Sequence, residues 1–157
     1  AFFKAAVALE RKYGVTVAHE THRHRALFSP FSAYRLLKAV PDLKLNADFS
    51  HWCCVCESLL PDFEREMALA CERSIHIHAR VGYEEGPQVP DPRAPEYRKH
   101  LERHEVWWDA IIAAHESKLI TEDDKFKNLD NLQKLTDRTQ KKVDEILAAK
   151  EAELKIV

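Results

Sequence analysis

Polar and apolar residues alternate in three short segments of this chain, which is the pattern of β-strands that have one apolar and one polar face. Taken together, the odd-numbered positions of these segments are mostly apolar, and residues of one parity point to the same face of a strand. We therefore expect these odd positions to pack against helices. The three segments are VTVAHETH at 15–22, LKLNADFSHW at 43–52 and SIHIHARVG at 74–82. The odd apolar positions are Val15, Val17, Leu43, Leu45, Ala47, Ile75, Ile77, Ala79 and Val81.

Segments with helical periodicity lie before and between the predicted strands, at 1–14, 31–40 and 61–72. Gly14 is a natural residue to end the first helix, and Ser29 with Pro30 supplies an N-cap and a first helical residue for the second. We expect the cysteine-rich stretch after the second strand to be a turn. Alternation of helices and strands with short connections predicts an α/β fold with a parallel sheet.

A proline-rich loop, GYEEGPQVPDPRAP at 82–95, follows the third predicted strand, and its four prolines exclude a helix there. Another helix is then expected from about 96 to 115. His100 and His104 are spaced i, i+4 on it, which favours a charged surface stripe, with a metal-binding pair as the alternative. The expected apolar stripe of this helix, most simply explained as core or interface packing, is Trp107, Trp108, Ile111 and Ile112.

The composition changes near Ser117, and from Thr121 the sequence predicts one long helix. All three glycines and all seven prolines lie before Glu96, and Thr121 with Asp124 can form a capping box. We therefore divide the chain into residues 1–116 and 117–157 and expect the tail to bind a helical partner or a second copy of the chain. The amphipathic face of the tail helix consists of Leu129, Leu132, Leu135, Val143, Ile146, Leu147 and Leu154.

The composition narrows the possible partners and locations. The chain has 157 residues, 45% of them hydrophobic, and a formal net charge of −2, which is enough for a core but gives no basic excess for nucleic acid. No run of 18 apolar residues and no signal-peptide pattern is present, so we expect a cytoplasmic protein without a membrane partner. We expect reduced thiols, with a soft-metal or redox role as the alternative, at Cys53, Cys54, Cys56 and Cys71.

Acidic and imidazole side chains recur on the polar parity of the three predicted strands or directly after them. These residues are Glu20, Asp48, His51, His76 and His78. Carboxylates combined with an imidazole suit Mn²⁺, Mg²⁺, Co²⁺ or Zn²⁺, so the pattern predicts a divalent-metal site. The alternative is a set of polar groups that are satisfied by hydrogen bonds within the core.

Four motifs occur in order over residues 1–115: HETHR at 19–23, ADFSHW at 47–52, HIHARVGYEEGPQVPDP at 76–92 and WWDAIIAAH at 107–115. Together they resemble the sugar phosphate isomerase/epimerase group of xylose-isomerase-like TIM barrels. A complete eight-stranded barrel takes roughly 250 residues, and the resemblance covers only its strands four to six. It therefore implies a partial barrel of βα units, followed in this chain by the long C-terminal helix.

This resemblance implies roles for particular residues. Glu20, Asp48 and His78 would bind the metal, Glu20 would also be the catalytic carboxylate, and substrate contacts would come from His51, Arg80 and His76. In the resembled enzymes the metal polarises the oxygens of a ketose sugar or sugar phosphate, and carboxylates move a proton next to the carbonyl. Those enzymes also use a second glutamate from the eighth strand, which has no counterpart here. The resemblance therefore implies an isomerase whose catalytic set is incomplete in this chain.

The tail carries a second resemblance, with QKLTD at 133–137, KKVDEI at 141–146 and KEAEL at 150–154. These motifs are similar to the C-terminal helix of ribosome recycling factor, over residues 118–157. The resemblance implies an alternative function as a ribosome-associated or helix-bundle interaction protein. Two unrelated resemblances joined near Ser117 also indicate that the chain is a chimera.

Overall fold

A computed structural model describes residues 1–119, 133–134, 136–143 and 145 of the chain. Contacts divide the chain into two compact units, Ala1–Glu116 and Ser117–Val157. Helices and strands alternate along the described residues, and the class is mixed α/β. The elements are α1 Phe2–Tyr13, β1 Ala18–Glu20, α2 Pro30–Ala39, β2 Lys44–Ala47, α3 Ser50–Val55, α4 Glu64–Arg73, β3 Ser74–Ile77 and α5 Arg98–Leu119.

The three strands form one parallel sheet in the order β1-β2-β3. Glu20 pairs with Asn46 between β1 and β2, and Asn46 pairs with His76 between β2 and β3. The register shifts between Leu45 and Asn46, because Leu45 pairs with Ser74 while the next residue of β2 pairs with His76. Ile75 is therefore the extra residue of a β-bulge, and the bulge places His76 beside Asn46.

The predicted alternation is confirmed in β2, where Leu45 and Ala47 are 0% and 1% exposed. It is wrong at part of each outer strand segment. Because β1 begins only at Ala18, Val15 and Val17 precede the strand and are exposed. Because of the bulge, Ile75 is 39% exposed instead of buried. Ala79 lies beyond the end of β3 and is also exposed, whereas Leu43, Val81 and, in part, Ile77 are buried as expected.

The predicted helix boundaries follow from local chemistry. Gly14 ends α1 in the left-handed conformation, with a φ of 64°, which a glycine adopts without a steric penalty. Ser29 caps α2 by accepting a hydrogen bond from the backbone N–H of Ser32 at 3.2 Å, and Pro30 is the first helical residue. Both boundaries agree with the expectations from the sequence.

The cysteine-rich stretch is a helix, α3, and the predicted turn is wrong. Trp52 and Cys53 on this helix are fully buried, and the indole Nε1–H of Trp52 donates to the backbone oxygen of Leu27 at 2.8 Å. Burial of a large aromatic side chain with its polar atom satisfied stabilises the short helix, which is an effect of packing that local sequence signals do not report.

Two histidines of α5 lie in the core, which corrects the predicted surface stripe. His104 is 0% exposed, its Nδ1–H donates to the backbone oxygen of His100 at 2.8 Å, and its Nε2 accepts from the backbone N–H of Gly82 at 3.2 Å. His100 is 5% exposed, and its Nε2 lies 2.8 Å from Oε2 of Glu84. The proline-rich loop covers this face of α5 and supplies both partners.

The apolar stripe of α5 is narrower than the sequence predicted. Trp107 and Ile111 are 3% exposed, and Trp108 is half-buried. Ile112 is 48% exposed and does not belong to the core. Trp107 and Ile111 instead share the buried side of α5 with His100 and His104.

Only part of the predicted tail helix can be compared with the structure. Residues 133–134, 136–143 and 145 are helical, and the side chain of Val143 is exposed. The predicted helix start at Thr121 and the other members of the apolar face lie outside the described residues: Leu129, Leu132, Leu135, Ile146, Leu147 and Leu154. Within the described ranges, no helix has both the length and the apolar character needed to cross a bilayer.

Burial lowers the pKa of His104 to about 4, below the ordinary value of 6.5, so the native protein resists protonation of a ring that protonates readily when unfolded. The stabilisation is complete above pH 6.5 and is lost as the pH falls toward 4. Between pH 7.5 and pH 5, His104 should lower the free energy of unfolding by about 2 kcal/mol. We expect His104→Gln to remove this contribution to the pH dependence. Urea unfolding at the two pH values measures this difference. His115→Gln, at an exposed position of the same helix, is the control; an equal pH dependence in both variants would contradict the prediction.

Candidate metal centre

The carboxyl ends of the three strands bring together the three predicted metal ligands. Glu20 is the last residue of β1, Asp48 directly follows β2, and His78 directly follows β3. One ligand atom from each lies within 4.8 Å of the other two. Nδ1 of His78 is 3.3 Å from Oε1 of Glu20 and 3.5 Å from Oδ2 of Asp48. These residues line an open cleft of about 410 Å³ together with His22, His51, Ala79 and Arg80.

These separations suit a shared ion. Two donor atoms that each lie about 2.1 Å from one metal ion are roughly 3.0–3.4 Å apart in octahedral or tetrahedral geometry. The two distances from His78 Nδ1 fall close to this range. Two carboxylates and one imidazole match the preferences of Mn²⁺, Mg²⁺, Co²⁺ and Zn²⁺. The donor set therefore fits the predicted divalent ion.

Asp48 is the most constrained group of the cleft, since its side chain is only 2% exposed. Nη2 of Arg80 donates to its Oδ2 at 2.5 Å, and the hydroxyl of Ser50 donates to its Oδ1. The backbone N–H of Asp48 donates to Oγ1 of Thr21 at 2.8 Å. A buried carboxylate needs such partners, and here they come from the segment after β3 and from the start of α3, while the residue after β1 holds the backbone of Asp48.

His51 lines the cleft but is only 3% exposed. Burial lowers its pKa to about 4, so the imidazole is neutral at pH 7. Its Nε2 accepts a hydrogen bond from Nη2 of Arg80 at 2.7 Å, and its ring packs 4.0 Å from the ring of His22, measured between centroids. Arg80 thus connects His51 to Asp48, so two of the three residues predicted to contact a substrate, Arg80 and His51, are held in place at the cleft.

His76 lies apart from the carboxylates, and its side chain joins the site through Asn46. Nδ1 of His76 is 2.9 Å from Oδ1 of Asn46, and Nδ2 of Asn46 is 2.9 Å from Nε2 of His78. His76 does not line the cleft that the predicted ligands share. Its predicted contact with a substrate is therefore not supported by its position.

Comparisons with known proteins give no assignment. No family model matches the chain. No solved structure matches it.

Sequence reasoning missed several residues that build the site. Thr21 and Ser50 are close in sequence to Glu20 and Asp48, which is a weak signal that they act together. Asn46 shares the polar parity of its strand with Asp48, but nothing in the sequence pairs it with the two histidines. Gly82 was also missed, because it matters only through the close approach of Ser50, a residue far away in the sequence.

The cysteines are all free thiols. Burial raises the pKa of Cys53 and of Cys71 to about 12, so both remain protonated at neutral pH. Cys54 and Cys56 are half-buried, and no cysteine belongs to the group of possible metal ligands among the described residues. The expectation of reduced thiols agrees with this arrangement, and the soft-metal alternative gains no support from it.

Gly82 supports the site by leaving room for Ser50. A Cβ atom added to Gly82 would lie 2.6 Å from Cα and 2.7 Å from the backbone oxygen of Ser50, which is too close for any side chain. We expect Gly82→Ala to lower the free energy of unfolding by about 2–3 kcal/mol, because backbone must move. Gly14→Ala, where the space is open but φ is positive, should lose only about 1 kcal/mol. Urea unfolding of both variants tests this order, and equal losses would contradict it.

The Arg80–Asp48 pair should contribute measurably to stability, because Asp48 is buried and Arg80 is about a third exposed. We expect Arg80→Gln to lower the free energy of unfolding by about 2 kcal/mol at pH 7, and the double variant with Asp48→Asn to lose less than the sum of the single losses. Arg93→Gln, in an ion pair at the surface, is the control and should show no measurable loss. Strict additivity in the double-mutant cycle would argue against the pair.

Proposed function

We propose that this chain binds one divalent metal ion through Glu20, Asp48 and His78, in a cleft of the sugar isomerase/epimerase type. The observation that carries the proposal is the convergence of three ligand atoms, one from the end of each parallel strand, within 4.8 Å. Strand ends of a parallel sheet are where ligands bind in α/β folds, so the location supports the same conclusion.

The substrate class that we propose is a small ketose sugar or sugar phosphate. A bound ion would supply a Lewis acid that polarises the carbonyl and hydroxyl oxygens of the sugar. The guanidinium of Arg80, held between Asp48 and His51, provides a fixed positive charge with hydrogen-bond donors at the cleft wall. Glu20 is the more open of the two carboxylates, with a side chain 33% exposed, and is the candidate for moving a proton.

The carboxylates that line the described cleft are Glu20 and Asp48, and both belong to the proposed metal site. Isomerisation or epimerisation in the resembled enzymes uses another acid or base on the opposite face of the substrate carbon. We therefore propose metal binding as a property of this chain, and propose turnover only where a group that replaces the eighth-strand glutamate of those enzymes reaches the cleft.

We also propose that the sheet is part of a barrel, and the order of its strands supports this. Three parallel strands lie side by side in chain order, as successive strands of a barrel do. Within the described residues, the outer edges of β1 and β3 pair with no further strand. Self-association that continues the sheet at these edges would cover the exposed apolar side chains there, such as Val17 and Ile75.

The alternative function, a ribosome-associated or helix-bundle interaction protein, stays a prediction. It rests on the tail motifs at 133–137, 141–146 and 150–154, of which the last lies wholly outside the described residues. The exposed Val143 is the one member of the predicted apolar face whose side chain the structure describes.

Calorimetric titration with Mn²⁺ at pH 7.5 tests the metal site directly. We expect saturable binding of one ion to the full chain and a loss of more than about a hundredfold in affinity for Glu20→Gln and for Asp48→Asn, because each removes a charged ligand. Glu85→Gln, which removes an exposed carboxylate of the proline-rich loop, should bind like the unchanged chain.

Circular dichroism of each variant separates loss of binding from loss of folding. Glu20→Gln is the stronger test, since the side chain of Glu20 is less buried than that of Asp48 and its replacement leaves no buried charge unpaired. Absence of saturable Mn²⁺ binding to the unchanged chain, or equal affinity in a folded Glu20→Gln variant, would overturn the proposal.

A further inference from the structure

Asn46 lies in β2 between the two imidazoles of the third strand segment. Its Oδ1 is 2.9 Å from Nδ1 of His76, and its Nδ2 is 2.9 Å from Nε2 of His78. The β-bulge at Ile75 produces the register in which Asn46 pairs with His76. One amide therefore hydrogen-bonds to both rings.

The chemistry of an amide forces these rings into opposite roles. The carboxamide oxygen only accepts hydrogen bonds, and the NH₂ group only donates them. The ring nitrogen that faces the oxygen must therefore carry a proton, and the ring nitrogen that faces the NH₂ group must be bare. Turning the amide around exchanges the two roles but never makes them equal, so the tautomers of His76 and His78 are linked through Asn46.

The arrangement of the structure is one of the two allowed states. His76 donates from Nδ1–H to Oδ1 of Asn46, and Nδ2 of Asn46 donates to Nε2 of His78. Neutral His78 then carries its proton on Nδ1, which faces the carboxylates of Glu20 and Asp48 at 3.3 and 3.5 Å. Two carboxylate oxygens close to an N–H donor favour this state.

A metal ion requires the other state. His78 can ligate through Nδ1 only when that nitrogen is bare, and its proton then resides on Nε2. Nε2–H needs an acceptor, which Asn46 provides when its oxygen faces His78. The NH₂ group then faces Nδ1 of His76, which must give up its proton to Nε2 of the same ring. The number of protons on each neutral ring is unchanged.

We propose that Asn46 is a positioning residue that links the tautomers of His76 and His78, and that a metal ion on Nδ1 of His78 reverses both rings and the amide. The metal-driven reversal rests on the proposed function, whereas the linkage between the two rings does not. His76 thereby reports the state of the site, although it lies outside the cleft and touches neither carboxylate ligand.

Long-range ¹H–¹⁵N spectra of the full chain, labelled at histidine nitrogens, distinguish protonated from bare ring nitrogens. The probe is Zn²⁺, which is diamagnetic, and His76→Gln assigns the His76 signals. In metal-free protein at pH 7.5 we expect Nδ1 of His76 to be protonated and Nε2 of His78 to be bare. At saturating Zn²⁺ we expect the reverse at both positions.

Two variants at Asn46 separate positioning from general structure. Asn46→Leu supports neither state, so we expect a roughly tenfold or greater loss of Zn²⁺ affinity, and His76 should no longer follow the metal. Asn46→Asp offers acceptors to both rings and favours the ligating tautomer of His78 in advance. We expect its affinity to rise, while Nδ1 of His76 stays protonated when Zn²⁺ binds.

The possible outcomes test the linkage, the metal-driven reversal and the metal site separately. Metal-free spectra in which Nδ1 of His76 and Nε2 of His78 are both protonated or both bare would overturn the linkage, whatever the metal does. Zn²⁺ binding that Glu20→Gln abolishes, but that leaves His76 unchanged, would overturn the reversal and leave the metal site standing. Absence of Zn²⁺ binding to the unchanged chain would overturn the proposed function and the reversal with it, while the metal-free spectra would still decide the linkage.

Discussion

A buried carboxylate, that of Asp48, is the constraint on which the candidate site depends. Removing a carboxylate from water is unfavourable by several kcal/mol unless charged or hydrogen-bonding partners compensate for the lost hydration. Arg80 and Ser50 supply those partners to the side chain, and Thr21 fixes the backbone next to it. Arg80 after β3 and Ser50 at the start of α3 partner the carboxylate, and Thr21 after β1 partners the backbone N–H of the same residue, so the contacts of Asp48 connect the three strand ends at which Glu20 and His78 lie.

Two features near this carboxylate depend on contacts between segments that are distant in the sequence. Gly82 has no side chain because the backbone of Ser50 occupies the space where a Cβ atom would lie. The bulge at Ile75 turns that residue outward and aligns His76 with Asn46. Both features serve the geometry at the strand ends, one by allowing α3 to approach the proline-rich loop and the other by placing an amide between two imidazoles.

The sequence predictions succeeded where the cause lies in neighbouring residues and failed where it lies in contacts between distant segments. Helix ends were predictable because Gly14 and the Ser29–Pro30 pair act through their own backbone and nearest neighbours. The burial of Ile75, the turn at the cysteines and the surface stripe on α5 were wrong, because each depends on distant partners. His104 illustrates this, since Gly82 and the loop that covers α5 convert a polar residue of a charged helix into a core residue.

The sequence by itself determined the α/β class and the order of the three strands and of α1, α2, α4 and α5, because these depend on the alternation of polar residues and on local capping. Its pattern supplied five polar candidates, among which the family resemblance singled out Glu20, Asp48 and His78. Tertiary structure decided which atoms meet. It buried Asp48 with Arg80, placed Nδ1 of His78 between the two carboxylates, and put Asn46 between His76 and His78. The reason is physical: parity assigns a side chain to a face of a strand, but the strand register, the bulge and the packing of neighbouring segments set the distances on which coordination and hydrogen bonding depend.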